Sequence, residues 1–463
     1  MAIFTAGLPT VYFCVKGWIK SSSTVLFVSL FLLRYVRTVV NAVAAHIFYK
    51  PVPISSTPKY TNKDVTVIIV TTELLHDGIR GAIKSILWHE VPRIIIAVGG
   101  DKFKSQIPAF KLLFPQKSIV ILQYNDKKTN VREQSALAIS EVGTKLFVKQ
   151  DDHSYWPENK NFLPSLMAPL EHDQIDAVGS ILKTRHHHYP ISFRGFWNFI
   201  GMAYLTTRKR EFLASDCIDG GIGCLEGRFG VFRTSSFKTD AFLIPFLNEY
   251  HVEWFGHGKR IGPLNVDDDK FVTRYIRASG KSIKMQGGPD SIMETELGEW
   301  PRYWEQIMRW TRTGWRSNLK EVATQKKQWA KFPWSMYANL IYSFVKCSLV
   351  HDVSLFALLR SILDQRGALE SYWVYALPLA VWIYGVRLSK GCFGAIASPK
   401  ELVYLPGYLV WVYVVSLIRI YGLFTCGNTG WGTAETASTN KAHNSTEGVG
   451  KQETKKNADE DKE

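Results

Sequence analysis

Three short groups of polar residues have the types and spacing to do chemistry. In KQDDHSYWP, Asp151, Asp152 and His153 follow an apolar run. Carboxylates clustered where a strand meets a loop suit a hard divalent ion that bridges diphosphate oxygens. An isolated Asp-Asp pair reads more simply as a solvated acidic turn, and it is the position after a strand that favours the metal. In NVDDDKFVTRYI, Asp267, Asp268 and Asp269 are adjacent. Three neighbouring acids repel, which raises one of them toward the pKa of a useful base. The rival reading is a helix start, where carboxylates favour the positive dipole end. In YWEQIMRWTRTGW, Gln306, Arg309 and Trp310 stand at i, i+3 and i+4, one face of a helix. A guanidinium there can grip a pyrophosphate bidentately and an indole can stack on a sugar ring. An amphipathic helix with aromatic anchors at a membrane interface would carry the same residues.

The elements needed to position these groups are legible around them. Residues 65–70 (VTVIIV) are short and β-branched, as a buried strand of a parallel sheet would be. Runs at 93–98 (RIIIAV), near 118 (SIVILQY) and from 145 (KLFVKQ) repeat the pattern with helical sequence between them. Alternating strands and helices predict an α/β, doubly wound, mostly parallel sheet. Ligands of such sheets bind beyond the carboxyl ends of the strands, so Glu73, Asp101 and the pair Asp151–Asp152 should converge on one crevice.

The 463 residues, 46% hydrophobic, suffice for a catalytic core with apolar sequence left over for helices in lipid. The net charge of +15 is spread along the chain without a basic block, which favours anionic lipid or a sugar nucleotide over nucleic acid. Six cysteines with no CxxC pair signal neither a zinc site nor a disulfide framework.

Residues 24–49 are mostly apolar but contain Arg34 and Arg37, each costing about 2.5 to 3.5 kcal/mol at a span centre unless it snorkels or faces protein. A retained membrane helix is preferred there over a signal peptide, because no small-residue cleavage site follows promptly. Apolar tracts at 334–363, 372–386 and 402–423 are candidate spans, the first with an interfacial part. The resulting division is a membrane helix region at 1–50, a catalytic domain at 51–332, interfacial and membrane helices at 333–432, and a disordered polar tail at 433–463.

Taken in order, DDH, DDDKFVTR and QIMRW before C-terminal membrane tracts resemble the D, D, D, QxxRW signature of processive family 2 glycosyltransferases. The segment CLEGRFGVFRTSSF, with Gly227, Arg228 and Arg233, resembles the LSGRxxxxR segment of fungal synthases related to capsule polysaccharide and hyaluronan synthesis. The fold this implies is a GT-A nucleotide-sugar-binding domain flanked by transmembrane helices.

The resemblance also implies roles. Asp151 and His153 would bind Mn2+ or Mg2+, with His153 standing where the relatives usually have a third Asp. Glu73, Asp101, Asp152, Gln306 and Arg309 would contact the nucleotide-diphosphate sugar, a UDP-sugar. Asp269, or alternatively Asp268, would be the catalytic base, and Gly227, Arg228 and Trp310 would hold the acceptor. The segment MQGGPDSIMETELGEW would be a mobile loop over the donor. The implied protein is a multi-pass enzyme of the plasma membrane or Golgi, with its catalytic domain facing the cytosol and a glycan as acceptor. A non-processive enzyme acting on a lipid or secondary metabolite, and a membrane scaffold with structural acids, are the alternatives.

Overall fold

The computed structural model describes residues 7–99, 103–124, 130–252, 258–395 and 399–430. Asp101 and the tail from 433 lie outside the described residues.

The chain begins with a long helix, α1 (Gly7–Val43). The sheet domain follows with β1 (Val65–Thr71), α2 (Asp77–Leu87), β2 (Arg93–Val98), α3 (Phe103–Leu113), β3 (Ile119–Gln123), α4 (Val131–Ser140) and β4 (Leu146–Asp151). Next come β5 (Ser154–Tyr155), α5 (Phe162–Met167), β6 (Ile175–Thr184), α6 (Phe193–Ile218) and β7 (Phe229–Arg233). The domain closes with α7 (Asp268–Ala278), β8 (Ser282–Gln286), β9 (Ile292–Thr295) and α8 (Arg302–Thr313). Three long helices complete the described chain: α9 (Ser348–Gln365), α10 (Tyr372–Ala395) and α11 (Leu405–Phe424).

The expected sheet is present. Strands β3, β2, β1 and β4 lie side by side in parallel, with Val70 beside Asp151 in the β1–β4 register. The order continues through β7, β6, β9 and β5, and β8 pairs with β6. β7 runs antiparallel to both neighbours, β4 and β6. Alternation along the strands divides the core into two layers. Val65, Val67, Ile69, Ile94 and Ile96 pack with α2 and α5 on one face, whereas Ile68, Ile95 and Phe147 pack with α4, α6 and α7 on the other. Burial on both faces explains why these strands read as continuous apolar runs.

Part of the segment expected to be a mobile loop over the donor belongs to the sheet. Met285 and Gln286 end β8, and Ile292–Thr295 form β9 between β6 and β5. The turn between them is tied back: Gly287 N donates to Tyr49 Oη at 2.8 Å, and Gln286 Nε2 donates to Val52 O at 2.9 Å.

Among the described residues, the helices Ser22–Phe48 and Pro399–Phe424 are long and apolar enough to cross a bilayer. The tract at 334–363 is broken into Pro333–Val345 and Ser348–Gln365, which meet at 82°. Lys346 occupies the break and its ammonium lies 3.7 Å from Glu211 on α6, so the charge faces protein. The tract at 372–386 lies within α10, outside that set. Among the described residues, one of the three candidate C-terminal tracts therefore qualifies by length and composition, or two if the bent pair counts as a span. Arg34 and Arg37 face protein too: Arg37 Nη2 lies 2.7 Å from Glu211, and Arg34 Nη1 lies 3.5 Å from Asp352 on α9.

Candidate active site

A cavity of about 900 Å³ opens beyond the carboxyl ends of β1 and β4 and runs under α8 toward the long helices. Thr71, Asp151, Asp152, His153, Gly227, Arg228, the Asp267–Asp269 triplet, Gln306, Arg309 and Trp310 all line it. The three sequence groups therefore converge, as the sheet topology predicts.

At the β4 end, Asp152 turns into the wall. Its Oδ2 accepts from Thr71 Oγ1 at 2.7 Å and lies 2.9 Å from His76 Nε2, while its Oδ1 lies 2.9 Å from His153 Nδ1. Burial pushes Asp152 up, but the bonds to His153 and His76 outweigh it and hold the carboxyl well below its usual range. His76 is fixed in turn as the cap of α2, where its Nδ1 accepts from Ile79 N at 3.3 Å. With Nδ1 held by Asp152, His153 presents Nε2 at 3.8 Å from Asp151 Oδ2.

Those two atoms can both reach a divalent ion with bonds of about 2.1 Å. Among the described residues no third His, Cys, Asp or Glu completes the set. The fit is therefore that of an ion shared with substrate phosphates and water, as is usual for Mg2+ at phosphate sites. The Asp152–His153 contact matches the carboxylate support that orients metal-binding imidazoles.

The triplet separates into three different carboxylates. Asp267 has a left-handed backbone, φ 63°, tolerated by Asp better than by most residues. It is buried and gripped by Arg316, with Nε 2.9 Å from Oδ2 and Nη2 3.0 Å from Oδ1. Arg132, fully buried on α4, fixes the preceding residue by donating to Val266 O at 2.7 Å and 3.0 Å. Asp268 pairs with Lys149 at 2.7 Å. Burial pushes Asp268 up, yet the Lys149 ammonium holds it below the usual range.

Asp269 has no ion pair among the described residues. Burial, then repulsion from Asp268 and Asp267, push its carboxyl up to about 6. A Cβ on Gly227 would lie 3.5 Å from Asp269 Cβ, so Gly227 forms the wall beside this carboxylate. Lys270, which follows it, points away and donates to Gly223 O and Asn318 Oδ1, both at 2.7 Å.

On α8, Tyr303 and Ile307 pack with Trp197 and Trp411, Trp310 joins the same cluster, and the helix lines the cavity. The Gln306 side chain accepts from Gly298 N at 3.2 Å. Burial pushes Arg309 down, opposed by Asp151, Asp268 and Asp269, which places its charge among the site carboxylates. Trp310 stacks on Tyr204 of α6 with centroids 5.3 Å apart, and Arg228 Cζ lies 5.0 Å from its ring centroid.

Comparison with known proteins decides the family. The chain is 32% identical over 428 residues to a type 2 glycosyltransferase of Zymoseptoria tritici, covering 92% of this chain and 86% of the relative. It is 31% identical over 412 residues to a type 2 glycosyltransferase of Gibberella zeae, covering 88% and 75%. The chain belongs to the type 2 glycosyltransferases. No family model matches it. The fold of this glycosyltransferase resembles that of the Pyrobaculum calidifontis mannosyltransferase PcManGT, solved with GDP-Man and Mn2+, at a TM-score of 0.51 and 15% identity. The match covers 88% of this chain and 98% of that one.

Not every expected residue of the glycosyltransferase joins the cavity. Glu73 is exposed past the end of β1 and does not line it. Arg233 is engaged elsewhere, donating to Leu170 O at 2.7 Å beside Asp176. Lys149, His76, Arg316 and Tyr204 shape the site without having been singled out in the sequence. Lys149 had a signal: it alternates with Asp151 along β4 and therefore shares its face.

Proposed function

We propose that this glycosyltransferase is a membrane-bound, inverting enzyme that moves a sugar from a nucleotide-diphosphate sugar, a UDP-sugar, onto a growing polysaccharide. The observation that carries this reading is Asp269: a buried carboxylate pushed up to about 6, in the same cavity as Asp151, His153 and Arg309. A base near that value is ionised at neutral pH and still able to take a proton.

Asp269 takes the proton of the acceptor hydroxyl. The oxygen forms its bond to the anomeric carbon as the bond to the diphosphate breaks on the opposite face, so an α-linked donor gives a β-linked product. Arg309 lies against the departing diphosphate and stabilises its charge. Trp310, held by Tyr204 and Arg228, stacks on the acceptor sugar. Asp151 and His153 would hold Mn2+ or Mg2+, which neutralises diphosphate oxygens when bound. The neighbour solved with GDP-Man and Mn2+ supports a donor and metal of this class. The apolar helices Ser22–Phe48 and Pro399–Phe424 support a seat in the membrane, and the catalytic domain would face the cytosol.

The test is radiolabel transfer from a panel of uridine and guanosine diphosphate sugars, with Mn2+ or Mg2+, using membranes carrying the wild type or Asp269→Asn. Label in a long polymer supports the proposal. Label only in a small or lipid-soluble product replaces it with single addition, and label independent of Asp269 removes the mechanism.

A further inference from the structure

The cavity does not end at the catalytic carboxylates. Past Tyr204 and Thr207 it continues between α1, α6, α10 and α11, and its lining changes from acidic to cationic. Glu211 is shared by three cations: Arg37 at 2.7 Å, Arg208 at 3.2 Å and Lys346 at 3.7 Å. Asp352, just behind the lining, is shared by Arg34 and Arg387. Arg208 also reaches Glu226 at 3.4 Å. Lys390 and Arg419 line the same space and have no carboxylate within ion-pair distance among the described residues. Seven basic side chains thus meet three carboxylates.

A cationic excess in a part-buried space is costly unless a counter-charge or water covers it. It is also placed where two helices apolar enough for a bilayer pass: Arg34 and Arg37 belong to Ser22–Phe48, and Arg419 to Pro399–Phe424. Intramembrane cations facing a cavity, not lipid, mark a ligand path. The outer faces of these helices are apolar and exposed, including Val25, Leu26 and Val36 on α1 and Val410 and Leu417 on α11. A ligand suited to both surfaces has an anionic head and an apolar tail. The chamber adjoins the reaction centre through Arg208, whose partner Glu226 precedes Gly227 beside Asp269.

We propose that this end of the cavity is a subsite for a lipid-borne phosphate, which anchors the amphiphilic primer on which the polysaccharide starts while the primer's sugar hydroxyl reaches Asp269. The proposal rests on the glycosyltransferase reading of the same cavity. The phosphate is an anchor and does not react. Guanidinium and ammonium groups from α1, α10 and α11 surround it, and the tail runs along the apolar faces of those helices.

The experiment uses the full chain in phosphatidylcholine nanodiscs, with radiolabelled dodecyl phosphate and dodecanol as probes and no donor present. Saturable binding of the phosphate, at least about tenfold tighter than the alcohol, is expected from charge-assisted hydrogen bonds. Lys390→Gln and Arg419→Gln should each weaken it by about tenfold, and Lys390→Arg should restore it. Equal binding of phosphate and alcohol by the wild type would overturn the proposal without recourse to any variant. So would full binding by a Lys390→Gln, Arg419→Gln double variant. Stronger displacement of the probe by a soluble glucuronate oligosaccharide than by inorganic phosphate would also overturn it, assigning the chamber to a carboxylated glycan. Because no turnover is measured, failure of the transfer assay would leave this result standing, and the reverse holds as well.

Discussion

Lys149 and Asp268 form a 2.7 Å ion pair that gives two adjacent carboxylates opposite characters. Asp268 is held ionised by its cation, while Asp269, next in the chain and without that cation, is pushed up to about 6. The β4 strand supplies the lysine and the start of α7 supplies both acids, so sheet and helix together decide which acid is raised.

The selection can be tested by paired variants. Asp269→Asn should lower transfer by about 10²–10⁴-fold, the usual range for removing a general base. It should leave the thermal midpoint at or above that of the wild type, because it removes a buried, repelled charge. Asp268→Asn should lower the midpoint, since it leaves Lys149 without its carboxylate, a loss of about 3–5 kcal/mol for a broken buried pair. Transfer rates and melting curves on both variants check this. A larger transfer loss with a stable fold in Asp268→Asn would reassign the base.

The pH dependence follows from the sign of the Asp269 shift. The native carboxyl is raised from 3.8 to about 6, so it is protonated and inactive below that value. Transfer should fall with pH through about 6, by about tenfold per unit, and be flat in this group's contribution above about 7. Stability runs the other way. The native state binds this proton more tightly than the unfolded chain, so the cost of the buried charge is present at neutral pH and relieved as pH falls through 6. An acid limb centred near 4 would mean that Asp269 is not the titrating base.

Much of this arrangement was legible in the sequence because strands buried on both faces leave unbroken apolar runs. β1 through β4 fall where VTVIIV, RIIIAV, SIVILQY and KLFVKQ predict them, and their carboxyl ends place Asp151. The antiparallel β7 and the pairing of both β8 and β9 with β6 depend on contacts between distant segments, which no local pattern records. The same limit explains Gly287 and Gly288: glycines and a proline suggest a loop, yet Tyr49 and Val52 tie the turn to the domain entry. The triplet was legible as acids, but the Arg316 grip on Asp267 and the Lys149 grip on Asp268 come from other elements.

The metal reading predicts a graded series at the β4 end. Chelation should abolish transfer, and Mn2+ or Mg2+ should restore it. Asp152→Asn should raise the metal concentration needed by about 10–100-fold, since Asp152 orients His153 without reaching the ion itself. His153→Asp should lower that concentration by adding a negative charge beside Asp151, at an oxygen-rich position that suits either ion. Titration of activity against free metal gives the order. Identical midpoints in wild type and both variants would place the ion elsewhere.

Substitution of Trp310 should separate acceptor from donor chemistry. Its ring stacks on Tyr204 at an interplanar angle of 11°, and Arg228 sits 5.0 Å from its centroid, so the indole orientation is fixed by α6 and by the segment preceding β7. Gln306 and Arg309 line the same cavity from this helix and would serve the other substrate. Trp310→Ala should therefore raise the acceptor KM by about tenfold, or about 1.4 kcal/mol, while donor hydrolysis without acceptor continues. Trp310→Phe keeps an aromatic face and should recover most of the loss. Tyr204→Ala should reproduce part of the Trp310→Ala effect by releasing the ring. If donor KM rises with acceptor KM in Trp310→Ala, the indole belongs to the donor side of the cavity and the assignment of α8 must be redrawn.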